Sequence, residues 1–291
     1  MTEPDCELPT LFDRQWFDDS AREKSHDSYP LCLEFRQNDD EPELDENELS
    51  AFAHVIEHET ECYEPRGYLS GSVEIVTHYL DPTAGRACRV SNSIMLPTIA
   101  DAPYVEIRNC RATGLLLVDN AVVYDGLVKS PAFQELGLLL ITGSGLPRLT
   151  ARKLIHRLHV EEGLRVHLLT DNDTWGYFMY SLLLRGAMAP HAYFPWAAVD
   201  EVNLLGVRAG DVERFNVPEI YRRNWKDIWT PRLNALRSYE CFQADGWQEE
   251  LNRFEAQNYA INLWHFIEAL GGADAFVADY LVPRLQQAQR Q

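Results

Sequence analysis

From Leu138 to Ala187 the hydrophobic pattern switches repeatedly between continuous apolar runs and helical spacing. LLLIT closes on a GSG turn, a basic stretch at helical spacing follows, RVHLLT ends in Asp171-Asn172-Asp173, and WGYFMYSLLLRG returns to helical spacing. Upstream, GLLLVDNAVVYDGL (Gly114 to Leu127) repeats the device: a short apolar run, an acid at its end (Asp119), then helical spacing. Short apolar runs alternating with helical segments predict an α/β fold, a parallel sheet flanked by helices. Such a sheet sets strand ends side by side, so Asp119, Asp171 and Asp173 are expected to converge at the C-terminal edge, where open α/β sheets bind ligands.

The remaining pattern divides the chain. Residues 1–62 form an acidic N-terminal segment, in which residues 1–44 show no sustained period. From Asp45, with Glu48 at capping-box-like spacing, Leu49, Phe52, Val55 and Ile56 predict a short helix to about Glu61. Residues 63–109 read as a β-rich connecting region, with GSVEIVTHYL, CRVSNSIMLP and YVEI as its strands, and 110–195 as the α/β core. Residues 196–291 read as a helical C-terminal extension packing on the sheet. Helical spacing there starts at Arg222 with Trp225, Ile228, Trp229, Leu233 and Leu236, and resumes over Trp247 to Leu270 and Ala273 to Leu285. The aromatic residues recur at helix-face intervals, which favours core or subunit contacts over base-stacking platforms.

Charge changes this picture in one respect. The 291 residues carry net charge −19, yet residues 1–64 hold 20 acids against 4 Lys or Arg, leaving 25 against 22 in the rest. The acidity therefore belongs to the N-terminal segment, and a near-neutral body with local basic faces remains able to bind a polyanion. The acidic segment reads as a solvated linker, a partner-binding tail or a mimic of DNA. Six cysteines show neither C-x-x-C nor zinc-ribbon spacing and read as reduced thiols. The first residues, MTEPDCELP, have no basic and apolar leader regions, and no run reaches the ~18 apolar residues of a membrane span. A soluble, cytoplasmic protein is expected.

Candidate chemistry concentrates on the strand-end acids. Three hard oxygen donors with no His or Cys among them suit Mg2+, with water and substrate phosphate completing its shell. His54, His58 and Cys62 share a helix face and could hold zinc, against an ordinary amphipathic helix as the simpler reading. Arg148, Arg152, Lys153 and Arg157 line the helix after the GSG turn, where they would contact DNA phosphates or form a solvated face. Gly143 and Gly145 serve a strand-to-helix turn rather than a dinucleotide fingerprint, since Arg148 takes the last glycine position. Arg66, in the PRG motif with Gly67, would approach DNA or shape a hairpin.

An acid after one strand and D-x-D-x-x-G after a later one resemble a Toprim domain. TGSGLPRLTARKLIHRL and LTDNDTWGYFMYSLLLRGA narrow the resemblance to the topoisomerase VI A-subunit family, which includes the meiotic double-strand-break protein. EPRGYLSGSVEI, SIMLP and NLLGVRAGDVERFNVPE follow in that family's order, and the likeness covers residues 64 to 285. The chain departs from the family's pattern at Asp119-Asn120, where Glu-Lys is usual, at Ser144, where Lys is usual, and at Thr174, where Pro is usual. The resemblance implies a Mg2+ site at Asp119, Asp171 and Asp173 and a tyrosine nucleophile on a winged-helix region, of which residues 1–62 would be a truncated or remodelled form; spacing from the PRG motif points to Tyr29. It also implies a covalent 5′-phosphotyrosyl link to duplex DNA, a homodimer in which each tyrosine works against the other protomer's metal, and a separate ATPase B-type partner. Such a protein would be cytoplasmic, and nucleoid-associated in a prokaryote. Two rival readings stay open: a Toprim nuclease that hydrolyses DNA with metal-activated water, and a catalytically degenerate DNA-binding or assembly subunit.

Overall fold

The computed structural model describes residues 67–78, 86–90, 93–97, 100–101, 104–188, 192–225 and 229–290. Tyr29, Arg66, the proposed helix with His54, His58 and Cys62, and the acidic segment lie outside the described residues.

The α/β expectation is met. The central sheet has six strands: β1 (Tyr68–Ser70), β4 (Ile94–Met95), β6 (Leu115–Val118), β7 (Leu139–Thr142), β8 (Val166–Leu169) and β9 (Val202–Gly206). Their order is β4-β1-β7-β6-β8-β9. The four strands β7, β6, β8 and β9 run parallel, and β1 joins β7 antiparallel, pairing Leu69 with Ile141. Every residue of β6, β7 and β8 is buried, as strands covered on both faces must be.

Strand alternation divides the apolar side chains between two cores. Leu115, Leu117, Leu139, Ile141 and Leu168 face helices α3 (Leu149–Glu162) and α4 (Thr174–Arg185), meeting Leu154, Leu158, Phe178 and Leu182. Leu116, Val118, Leu140 and Leu169 face the other way, toward α1 (Ala121–Lys129) and the C-terminal helices, meeting Val123, Leu127, Phe266 and Tyr280. Between α1 and β7 lies the single turn α2 (Pro131–Gln134). A second, three-stranded antiparallel sheet is ordered β3-β2-β5, with β2 at Val73–Thr77, β3 at Arg86–Val90 and β5 at Val105–Arg108.

The structure departs from the sequence reading in three places. The sheet runs past both limits of the 110–195 core: β1 and β4 come from the connecting region and β9 from the C-terminal extension. Residues 222–224 are not helical. They form β10 (Arg222–Asn224), antiparallel to β11 (Tyr259–Ile261), and the helix begins later as α6 (Trp229–Ser238). The helix expected over Trp247 to Leu270 is likewise broken. After the short α5 (Asp211–Arg214), α7 covers Asp245–Gln257 and stops at Asn258, whose φ of 57° ends it in the left-handed region. The strand β11 intervenes before α8 (Leu263–Ala269). The last helical stretch is one run: α9 (Ala273–Phe276), a π turn (Val277–Leu281) and α10 (Val282–Ala288).

Candidate functional site

The acids are placed by backbone bonds on either side of each one. Asp119 follows β6, and its neighbour Asn120 caps α1, accepting from the Val122 and Val123 amides at 2.8 and 3.4 Å. Asn120 thus fills two of the helix's open N-terminal donors. The GSG turn folds back on Asp119: the Gly145 amide donates to the Asp119 carbonyl at 2.6 Å. A Cβ on Gly143 would stand 2.8 Å from Pro147 Cα, so the tight turn excludes side chains there.

The Asp-Asn-Asp loop is pinned from both sides. Thr170 exchanges backbone hydrogen bonds with Gly206 and Val207, both 2.8 Å, and Asn172 exchanges them with Ile261 at 2.9 and 3.3 Å. The Asn172 side chain is fully buried: its Nδ2 donates to Tyr177 Oη and the Val207 carbonyl, and its Oδ1 accepts from Gln257 Nε2 at 2.5 Å. Asp173 caps α4, its Oδ1 accepting from the Trp175 and Gly176 amides at 2.9 and 3.1 Å. A Cβ on Gly176 would collide with the Asp171 carbonyl oxygen and Thr170 Oγ1. The glycine of D-x-D-x-x-G lets the first turn of α4 lie against the loop that carries the acids.

The three carboxylates sit in one neighbourhood with unequal freedom. Asp119 Oδ2 accepts from the Asp171 amide at 3.1 Å, while Oδ1 is enclosed and takes no hydrogen bond among the described residues. Asp171 Oδ1 accepts from the Leu263 amide at 2.7 Å, and its Oδ2 faces Arg223 Nη2 at 3.6 Å. Asp173 Oδ2 holds the same Arg223 Nη2 at 2.9 Å. Burial first, then the Asp171 charge, lifts Asp119 well above the usual carboxylate range. Burial, then the Asp173 charge, raises Asp171 to about 6, against the opposing pull of the Leu263 amide and Arg223. Arg232 lies with its guanidinium 4.5 Å from the Trp175 ring centroid; burial lowers its proton affinity and the Asp173 charge opposes that.

These donors fit a hard cation unequally. The enclosed, unpartnered Asp119 Oδ1 and the adjacent Asp171 offer carboxylate oxygen to an ion, whereas both oxygens of Asp173 are engaged by helix amides and Arg223. Among the described residues no three His, Cys, Asp or Glu side chains are gathered into a ready-made metal cluster. The sequence reading brought the three acids to one sheet edge, but it assigned all three the same role.

The basic residues on α3 need a larger correction. Arg152 is wholly buried, its Nη1 donating to the Pro147 carbonyl at 3.0 Å. Lys153 is 7% exposed, paired with Asp101 at 2.8 Å and lying 4.6 Å from the Trp196 ring centroid. Arg157 donates to the Ala100 and Val105 carbonyls at 2.8 and 2.7 Å and pairs with Glu161. Lys153 and Arg157 fasten α3 to the segment around residues 100–105, Arg152 ties it to the turn ahead of it, and the three do not form an exposed basic face. Arg148, at the N-terminus of α3, is half-buried. The guanidinium groups that do approach the acids, Arg223 and Arg232, come from the C-terminal part, where the helical spacing gave no sign of them.

A cavity of about 350 Å³ lies along β9, lined by Tyr180, Leu204, Arg208, Trp247 and Arg284 among others, and none of the three acids lines it. No helix among the described residues is long and apolar enough to cross a membrane.

Comparison with known proteins matches residues 114–285 to the Toprim domain of the topoisomerase 6 A-subunit/Spo11 family. Similar curated proteins include the A-subunit of type 2 DNA topoisomerase 6 from Saccharolobus shibatae, 29% identical over 149 residues, covering 48% of this chain and 38% of that protein. The protein of the same name from Sulfurisphaera tokodaii is 26% identical over 159 residues, covering 52% of this chain and 41% of the relative. That from Hyperthermus butylicus is 27% identical over 189 residues, covering 62% and 48%. The matched part spans less than half the length of these relatives.

Proposed function

The chain belongs to the topoisomerase VI A-subunit/Spo11 family by its Toprim domain, and on that premise we propose that it binds duplex DNA and cleaves the sugar–phosphate backbone at the acids Asp119, Asp171 and Asp173. The observation that carries the reading is the enclosed Asp119 Oδ1, a buried acceptor without a partner among the described residues, beside Asp171 at the C-terminal end of a parallel sheet. A buried carboxylate oxygen left unpaired is costly unless something positively charged or hydrogen-bonding completes it. Mg2+, when bound there, supplies charge neutralisation on the phosphate and the leaving oxygen. Asp119 and Asp171 are its holders, while Asp173 fixes the loop to α4 and restrains Arg223.

The nucleophile in this reading is the hydroxyl of Tyr29. Its oxygen attacks phosphorus, its proton is released, the phosphodiester opens to a free 3′-hydroxyl, and the 5′-phosphate stays on the tyrosine. The tyrosine of one protomer works at the acids of the other, so the active form is a homodimer, and strand passage falls to a separate ATPase B-type partner. Arg66 and Arg148 are the proposed phosphate contacts, and the substrate is DNA in the cytoplasm. A second reading is hydrolysis by metal-activated water without a covalent intermediate, which uses the same acids and needs no tyrosine.

One assay separates them. Supercoiled plasmid is incubated with the protein and Mg2+ or Mn2+, quenched with detergent and extracted with phenol. Cut DNA that enters the phenol phase unless treated with protease, and that disappears in Tyr29→Phe and Asp171→Ala, is the expected result. Free ends that persist in Tyr29→Phe and vanish in Asp171→Ala would establish hydrolysis, and cleavage unchanged in Asp171→Ala would refute the metal site.

A further inference from the structure

Arg223 is anchored at its backbone, while its guanidinium lies 5.8 Å from the Trp229 ring centroid and pairs unevenly with the acids. Its main chain is in register with Ala260 across the β10–β11 ribbon, which fixes the Cα beside the acid loop. The guanidinium reaches Asp173 Oδ2 at 2.9 Å and Asp171 Oδ2 at 3.6 Å through the same nitrogen, Nη2. It therefore makes one short contact and one long one instead of the two parallel bonds that a guanidinium forms with a carboxylate at its best. Its Nε is enclosed and finds no acceptor among the described residues. The side chain is 32% exposed, which leaves it a way out to solvent.

Asp171 Oδ2 faces a choice between cations. An ion that takes oxygens from Asp119 and Asp171 would lie close to Nη2, and two positive charges at such range repel strongly where burial weakens screening. Arg232 is far less exposed, buried closer against Trp175 than Arg223 lies to Trp229. The residues flanking Asp119 in the loops, Asn120 and Ser144, are neutral, and among the described residues Arg223 is a partly exposed cation that contacts the acids directly.

Resting on the metal reading above, we propose that Arg223 is an exchangeable counter-ion. Without a divalent ion it neutralises Asp171 and Asp173; when an ion occupies Asp119 and Asp171 it turns outward and binds a phosphate oxygen of the DNA backbone. A planar guanidinium suits both partners, because carboxylate and phosphate present similar pairs of oxygens. The exchange couples metal loading to DNA binding: the metal-free protein holds its own cation, and the loaded protein offers it to the substrate.

The test is calorimetric titration of the full chain with Mn2+ and Mg2+, wild type against Arg223→Gln, with Asp171→Asn as the control that removes the ion's holder. Arg223→Gln is expected to bind the ion about three- to fivefold more tightly, because a competing ion pair is gone. In a parallel fluorescence titration with a short duplex, the variant should bind DNA like wild type in EDTA. With Mg2+ present it should bind more weakly, with a salt slope smaller by about one charge. Equal ion affinities in wild type and Arg223→Gln that both vanish in Asp171→Asn would overturn the role of Arg223 and leave the metal site standing. Absence of ion binding in wild type and Arg223→Gln, or binding that survives Asp171→Asn, would overturn both. If Arg223→Gln fails to fold, Arg223→Lys serves instead: it keeps the charge and loses the fork, so DNA binding in Mg2+ should fall while ion affinity stays near wild type.

Discussion

His167, the second residue of β8, is 4% exposed, and its Nδ1 is enclosed without a partner among the described residues. Burial, helped by the charge on Arg165, lowers its pKa to about 4. In the unfolded chain the imidazole protonates near its ordinary 6.5, so between about 6.5 and 4 the unfolded state binds a proton that the folded state refuses. The stability that depends on a neutral His167 is present above that window and is lost as pH falls through it. The shift corresponds to about 3 kcal/mol at most. Urea unfolding of wild type and His167→Leu at pH 7 and pH 4.5 isolates this one group from the many carboxylates that titrate in both proteins. The wild type should lose about 2–3 kcal/mol more than the variant between the two pH values, and equal losses would show that the imidazole is charged or solvated in the fold. Gly176 makes a related point about motifs: its place in D-x-D-x-x-G was legible from sequence, whereas its reason, a helix turn lying on the Asp171 carbonyl, needed the structure.

At the scale of elements, the segments with strong period were legible and the short ones were not. β6, β7 and β8 are short runs, apolar but for His167 and Thr142, with acids or glycine turns at their ends, and burial on both faces leaves them without alternation. β10 and β11 have three residues each, Arg222–Asn224 and Tyr259–Ile261, too few to show a two-residue period against the helical spacing on either side. They exist because each pairs with the other and because Ile261 bonds to Asn172, contacts between positions far apart in sequence. The same cause hid Arg223 and the Leu263 amide, and it turned Lys153 and Arg157, on a face read as either a DNA contact or a solvated surface, into inward fasteners. Gln257, at the end of α7, ties the ribbon to the acid loop: Nε2 donates to Asn172 Oδ1 at 2.5 Å and to the Tyr259 carbonyl at 2.7 Å. Gln257→Leu keeps the bulk and strands the buried Asn172 oxygen, so it should destabilise the protein by about 1–3 kcal/mol. Hydrogen exchange at the Asn172 and Ile261 amides should accelerate more than at Leu168 inside the sheet. Uniform acceleration across all three would mean that the ribbon is not a separable unit.

For the whole molecule the central physical tension is between the polyanionic substrate proposed above and a net charge of −19. Residues 1–44 alone carry 13 acids against 4 Lys or Arg, a net charge of −9 on a segment tethered to every DNA-binding surface the rest of the chain can offer. Such a charge repels DNA over a distance set by salt, about 14 Å at 50 mM and about 6 Å at 0.3 M by the square-root dependence of the Debye length. A segment acting only through this field should weaken DNA binding at low salt and stop mattering at high salt. A segment acting as a DNA mimic occupies the site itself, and its effect should outlast screening of the longer-range field. Deleting residues 1–44 is therefore expected to raise affinity for a short duplex severalfold at 50 mM salt and to leave it within a factor of about two at 0.3 M. A gain that persists at 0.3 M would instead identify a segment seated in the DNA site. The same deletion removes Tyr29, so the truncated protein should bind DNA more tightly at low salt while yielding no protein-linked ends. Covalent ends from the truncated protein would move the nucleophile to another tyrosine.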